Sequence, residues 1–189
     1  NNVAVGKHAL RANTTGNLNT AVGKDAGLAV TTGIQNTLIG GEAGDALTDA
    51  DFNLAVGLRA LGADTLGSRS TALGYEALLA QNFTTATNTY NTAVGYVAGN
   101  SITTGIRNTI MGGFAGDALT DADDNTALGM DALSTDTLGS KSTAVGKGAL
   151  NVQNFTTATD TYNTAVGYNA GTAVTTGINN TLMGGLAGD

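Results

Sequence analysis

The stretch NTAVGYVAG at 91–99 returns at 163–171 as NTAVGYNAG, and near-copies stand at 19–27 (NTAVGKDAG) and 70–78 (STALGYEAL). The glycine closing its AVG element recurs at 6, 23, 40, 57, 74, 95, 112, 129, 146, 167 and 184. Seventeen positions separate successive glycines, as from Gly6 to Gly23, except for the twenty-one that follow Gly74 and Gly146. Three short steps and one long one make a larger block, and the chain repeats at that period too: 19–50 matches 91–122, and 163–189 opens a third copy. A fixed short period marks stacked units that bury their apolar faces only against neighbours. The chain therefore reads as one repetitive segment over 1–189, with blocks at 19–90, 91–162 and 163–189 (partial) and an irregular first coil at 1–18. The four extra residues of each long unit fall in QNFTTATNTYN (81–91) and QNFTTATDTYN (153–163), read as excursions.

The columns of the unit set its shape. Four residues before each glycine stands Asn, or Ser at Ser70 and Ser142, and three after it stands Ala in all eleven units. The two residues just before it are always apolar, while the two just after vary freely and read as solvent-facing. Ten residues after it comes a second small residue, as at Gly16, Gly33, Ala50 and Gly67. Two short extended segments and two tight corners per unit describe a coil of a parallel β-solenoid, with glycine at corners and Asn in a left-handed turn or a hydrogen-bonded ladder. Helix is disfavoured, because each interior glycine costs about 1 kcal/mol and β-branched Thr and Val fill the segments between corners.

Adjacent residues on a strand point to opposite faces. The pairs Ala21 and Val22, Leu38 and Ile39, Ala55 and Val56, Ala93 and Val94, Ile110 and Met111, and Ala165 and Val166 are apolar at both positions. So short a coil has one interior to offer, and the second face is expected to be covered by another chain. These twelve residues are the expected oligomer core. A homo-oligomer with its AVG strands around the axis, most simply a trimer, is the expected assembly.

Composition agrees. Glycine at 28 residues, no proline, cysteine or tryptophan, and 5% aromatics do not make a conventional globular core. The apolar fraction of 41% is too high for a disordered chain. A net charge of −7 with eight Lys and Arg argues against nucleic acid, which demands clustered cations. No run reaches the roughly 18 apolar residues of a membrane helix. The chain lacks an initiator Met and begins and ends within a repeat, which reads as a segment of a longer chain.

The recurrent [Asn/Ser]-Thr-Ala-[Val/Leu]-Gly-x-x-Ala unit resembles the head repeats of YadA-like trimeric autotransporter adhesins, and resembles more closely the NTAVG-type repeats of phage tail-fibre shafts. The resemblance covers essentially the whole chain. It implies a left-handed parallel β-roll and three chains forming a rigid fibre, intertwined or side by side. It also implies an extracellular location, on a virion tail fibre or a cell-surface appendage, where end-to-end filament growth or further fibre segments would extend the reach. The eleven coils here, short and long alike, exceed those of the adhesin heads in length.

Chemistry is sparse. His8 is the single histidine, lies in a variable column, and has no nucleophile arranged to use it. No phosphate-binding loop of the G-x-x-x-x-G-K-[ST] kind occurs, and the acidic residues lie in open corners rather than as a carboxylate pair in a cleft. The chain is read as non-enzymatic, without a cofactor. TDADFN and TDADDN place Asp49, Asp51, Asn53 and Asp121, Asp123, Asn125 at the first three ligand positions of a D-x-[DN]-x-[DN] loop. Leu54 and Thr126 replace its glycine, and Ala60 and Ala132 its bidentate Glu, so bound Ca²⁺ stands against a solvated acidic corner. Tyr75 and Tyr96 share an exposed column in adjacent coils, and Lys147 precedes Tyr168 in the same way. They are candidate receptor contacts, for a host or cell-surface glycan or protein, against side-chain stacking that stiffens the rod. The Thr-rich excursions suggest a receptor-binding loop or an ice-binding array, the latter disfavoured because they occur once per four-coil block. The function these features favour is a structural shaft giving rigid reach for surface attachment; the alternative is a receptor- or glycan-binding adhesin head.

Overall fold

The computed structural model describes all residues, Asn1–Asp189. The chain is all-β: β1 (Val3–Val5), β2 (Thr20–Val22), β3 (Thr37–Ile39), β4 (Leu54–Val56), β5 (Gly67–Ser68), β6 (Thr71–Leu73), β7 (Thr87–Asn88), β8 (Thr92–Val94), β9 (Thr109–Met111), β10 (Thr126–Leu128), β11 (Gly139–Ser140), β12 (Thr143–Val145), β13 (Thr159–Asp160), β14 (Thr164–Val166) and β15 (Thr181–Met183). The eleven longer strands form one parallel sheet in the order β1-β2-β3-β4-β6-β8-β9-β10-β12-β14-β15. Equivalent residues pair in register, as Ala21 with Leu38 and Ala72 with Ala93. This is a parallel β-solenoid of about eleven turns. The excursions add two small sheets, β5 with β7 and β11 with β13.

The AVG glycine is required by stacking as much as by conformation. Gly57 has φ +136°, and a Cβ there would lie 2.3 Å from the carbonyl oxygen of Gly74 in the next coil. Many other corners do without glycine. Twenty-five non-glycine residues adopt positive φ, among them Glu42, Arg59, Tyr90 and Leu61. Each such residue costs about 1–2 kcal/mol on its own. Cross-coil hydrogen bonds oppose that cost, as where Glu42 N–H donates to Lys24 O at 2.8 Å and Arg59 N–H to Gly41 O at 2.9 Å.

The Asn column is the internal ladder. Asn36 N–H donates to Asn19 Oδ1 at 2.9 Å, and Asn19 Nδ2 donates to Gly33 O at 2.8 Å. Asn53 repeats the pattern on Asn36 and Gly67. These amides are buried, so each unmade bond would leave an unpaired polar group at about 1–3 kcal/mol.

The interior is filled by one of two side-chain arrangements. In one, the residue four after the AVG glycine is Gly and the residue seven after it is apolar: Gly27 with Val30, Gly44 with Leu47, Gly99 with Ile102, Gly116 with Leu119. A Cβ on Gly44 would sit 2.8 Å from Leu47 Cδ1, so that leucine occupies the room a side chain would need. In the other, a buried Leu stands at the first position and a polar residue at the second: Leu61 with Asp64, Leu78 with Gln81, Leu133 with Asp136, Leu150 with Gln153. Apart from the first coil, where Leu10 stands with Asn13, coils of the second kind come in pairs, and each pair carries an excursion.

That pairing explains the serines. Ser70 is shorter than Asn, and its Oγ meets Thr89 Oγ1 at 2.6 Å and accepts from Gln81 Nε2 at 2.8 Å. Asn91 Nδ2 then donates to Gln81 Oε1 at 2.8 Å. Gln81 and Thr89 thus splice the ladder across the longer coil, and Gln153 and Thr161 do the same between Ser142 and Asn163.

Candidate interaction surfaces

Of each apolar pair on the long sheet, the first residue faces the chain's own interior. Ala21, Leu38, Ala55, Ala93, Ile110 and Ala165 are fully enclosed by their own coils. They are corrected from the expected oligomer core, because one chain's coil already surrounds them. The second residue points outward. Val22, Val56, Val94 and Val166 are half-buried, while Ile39 and Met111 are 38% and 43% exposed. In-register pairing aligns them as one apolar ladder along the rod, with a parallel row of outward, half-buried threonines such as Thr20, Thr71 and Thr92 two residues before.

The corner just after the AVG glycine flanks this ladder. Its first coils carry a chain of charges: Lys24 lies 3.7 Å from Glu42, Arg59 lies 3.9 Å from Glu42 and 2.8 Å from Glu76, and His8 lies 2.8 Å from Asp25. Lys24 and His8 hydrogen-bond Asp25 and hold its carboxyl below the usual range. These groups are solvent-exposed, so each pair adds little stability.

Aromatic residues succeed the charges. Tyr75 and Tyr96 stack with ring centroids 5.2 Å apart and planes at 11°, and Phe114 meets Tyr96 edge-on at 5.3 Å. The shared column expected for the two tyrosines is therefore realised. Their facing ring surfaces cover one another, though both residues stay exposed. The neighbouring Glu76 carboxylate raises the Tyr75 pKa. Tyr168 is exposed with no ring partner.

A second exposed corner lies five residues before each AVG glycine and runs Phe52, Arg69, Tyr90, Arg107, Asp124, Lys141, Tyr162 over successive coils. Arg69 lies over the Phe52 ring at 4.7 Å. Arg107 grips Asp124 with two hydrogen bonds at 2.6 and 2.9 Å, which lowers the Asp124 pKa. Lys141 pairs with Asp160 at 2.5 Å and lies 5.2 Å from the Tyr162 centroid.

The six residues of the two calcium-loop matches do not converge. Phe52 and Asp124 take positive φ, turning the chain so that Asn53 and Asn125 point inward and join the buried ladder. Asp51 and Asp123 accept the N–H of Ile34 and Ile106 at 2.8 Å, and Asp49 and Asp121 accept the hydroxyls of Thr32 and Thr104. No group of three or more His, Cys, Asp or Glu is placed to hold a metal ion. No surface pocket is formed, and no helix is long and apolar enough to cross a membrane.

The buried Asp64, Gln81 and Thr89 set, with its copy at Asp136, Gln153 and Thr161, does not emerge as a unit from single columns. Its signal is a coupling: Leu four after the AVG glycine accompanies a polar residue seven after it. No protein-family model, curated protein or solved structure matches the chain.

Proposed function

We propose that the chain is the shaft of an extracellular fibre, on a virion tail or a cell surface, giving rigid reach for attachment. Three copies pack their outward ladders against a common axis as left-handed β-rolls; the number three and the hand follow from the adhesin and tail-fibre resemblance. The observation that carries this reading is the ladder of Val22, Ile39, Val56, Val94, Met111 and Val166, apolar on every coil yet partly bare on a single chain. Isolated apolar surface residues are ordinary, but a continuous apolar stripe marks an association surface. Parallel stacking carries the same ladder through any number of coils, which suits a rod better than a compact receptor head.

A second reading, a receptor-binding adhesin, draws on the exposed excursion residues Thr84, Thr85 and Ala86 and their copies Thr156, Thr157 and Ala158. Small-angle X-ray scattering tests the shaft. Eleven coils at about 4.8 Å give a rod on the order of 53 Å, and inserting one more copy of block 91–162 should lengthen it by about 19 Å at unchanged cross-section. Growth in girth rather than length would refute it.

A further inference from the structure

We propose that the corner formed by Phe52, Arg69, Asn88 and Tyr90 binds a carboxylate-bearing sugar of an acidic polysaccharide. The inference goes beyond the shaft reading and does not depend on how many chains associate.

Arg69 is held differently from the other cations of the chain. Lys24, Arg59, Arg107 and Lys141 each have a carboxylate partner, while Lys7, Arg11 and Lys147 are unpaired but have no hydrogen bond or aromatic ring to fix their charged ends. Arg69 is fixed by neutral groups alone: its guanidinium lies over the Phe52 ring at 4.7 Å, and its Nε donates to Asn88 Oδ1 at 2.9 Å. One donor of the fork is engaged, so both Nη groups are free to take a carboxylate side-on. Asp51, the acid beside Phe52, accepts Ile34 N–H and makes no ion pair with Arg69.

Tyr90 stands at the equivalent position of the next coil, about 4.8 Å along the rod. It is 56% exposed, with no aromatic or cationic partner on its ring. A free guanidinium beside a free aromatic face suits a uronic-acid-type ring, the carboxylate on Arg69 and the apolar C–H face on Tyr90.

The corner is rigid from beneath. Thr89, fully buried, donates its N–H and its hydroxyl to Ser68 O at 2.9 and 3.1 Å, and meets Ser70 Oγ at 2.6 Å. Arg69 lies between those serines, and Asn88 and Tyr90 flank Thr89. The pairing of β5 with β7 sets Asn88 opposite Ser68. Such a site binds with little ordering cost.

The chain contains its own comparison. One block later the same positions hold Asp124, Lys141, Asp160 and Tyr162. There Asp160 replaces Asn88 and takes the cation at 2.5 Å, and Lys141 leans on Tyr162, reaching its hydroxyl at 3.3 Å. Cation and ring satisfy each other, so the second block is closed and the first is open.

Calorimetric titration of the full chain with oligogalacturonate, beside a neutral maltooligosaccharide of equal length, tests this. Wild type should bind the acidic sugar at one site per chain, more weakly as salt rises, and ignore the neutral one. Arg69→Gln, Tyr90→Ala and Asn88→Asp should each weaken binding about tenfold or more, while Lys7→Gln changes nothing. The triple variant Asp124→Phe, Lys141→Arg and Asp160→Asn, which restores ring, guanidinium and amide together, should open a second site. Absence of binding by wild type, equal binding of the neutral sugar, or unchanged binding by Arg69→Gln would overturn the proposal. Solution mass measured on each variant keeps the result separate from the fate of the shaft reading.

Discussion

Gln81 donates from Nε2 to Asp64 Oδ2 at 2.5 Å across adjacent coils, and both side chains are wholly buried. Asp64 Oδ1 also accepts the N–H groups of Gly67 and Phe83, each at 3.0 Å. No cation balances the carboxylate; a directed set of donors does. Asn91 feeds Gln81, which feeds Asp64 and Ser70, so the order of donors and acceptors is fixed.

Asp64→Asn therefore turns an amide NH₂ toward the NH₂ of Gln81. The expected loss is about 1–3 kcal/mol, for two buried donors left facing each other. Adding Gln81→Glu restores an acceptor and should recover part of that loss. Chemical denaturation of the two single variants and the double measures this. Additive losses would show that the two side chains are not coupled.

Glycine should matter by place. Gly57→Ala meets both a positive φ and the Gly74 oxygen at 2.3 Å, and should cost more than about 2 kcal/mol. Gly113→Ala meets nothing within 4 Å and needs no positive φ. It should be neutral or slightly stabilising, through a stiffer unfolded chain. Equal melting shifts in the two variants would remove the stacking explanation.

Acid response has a defined sign at Asp117. Burial raises its pKa above the ordinary 3.8, and its Oδ1 lacks a hydrogen-bond partner. A carboxyl raised on folding takes up a proton more readily in the fold, so its charged form opposes stability as pH rises through the folded value. Asp117→Asn should therefore melt higher than wild type at neutral pH, by an amount worth up to about 1 kcal/mol after allowance for partial exposure. The gap should close as pH falls below the folded value. A gap independent of pH would assign the effect to something other than the charge.

The period, the corners and the in-register strands are legible because each depends on one residue per coil. The AVG glycine and the ladder Asn announce themselves at a fixed interval. What escapes depends on residues coupled across a coil: Leu78 makes sense only with Gln81, and Ser70 only with Thr89. Alternation puts one member of each apolar pair outside, yet the columns alone assign both Ala93 and Val94 to a shared interface. Ala93 is enclosed by its own coil. The calcium-loop match carries no signal of the backbone at Phe52, which takes positive φ, or of Asn53 joining the buried ladder. Left-handed corners occupied by Leu, Arg and Tyr have no signal in composition, because the hydrogen bonds that stabilise them come from the neighbouring coil.

The central claim is that the outward ladder is covered by copies of the same chain. Sedimentation equilibrium of the wild-type chain beside Val94→Asp tests it most directly. The account predicts a wild-type mass three times that of the 18.7 kDa chain, and a variant that loses association as a charge enters the covered stripe. A wild-type chain that stays folded at single-chain mass at micromolar concentration, its valine ladder open to water, would contradict it.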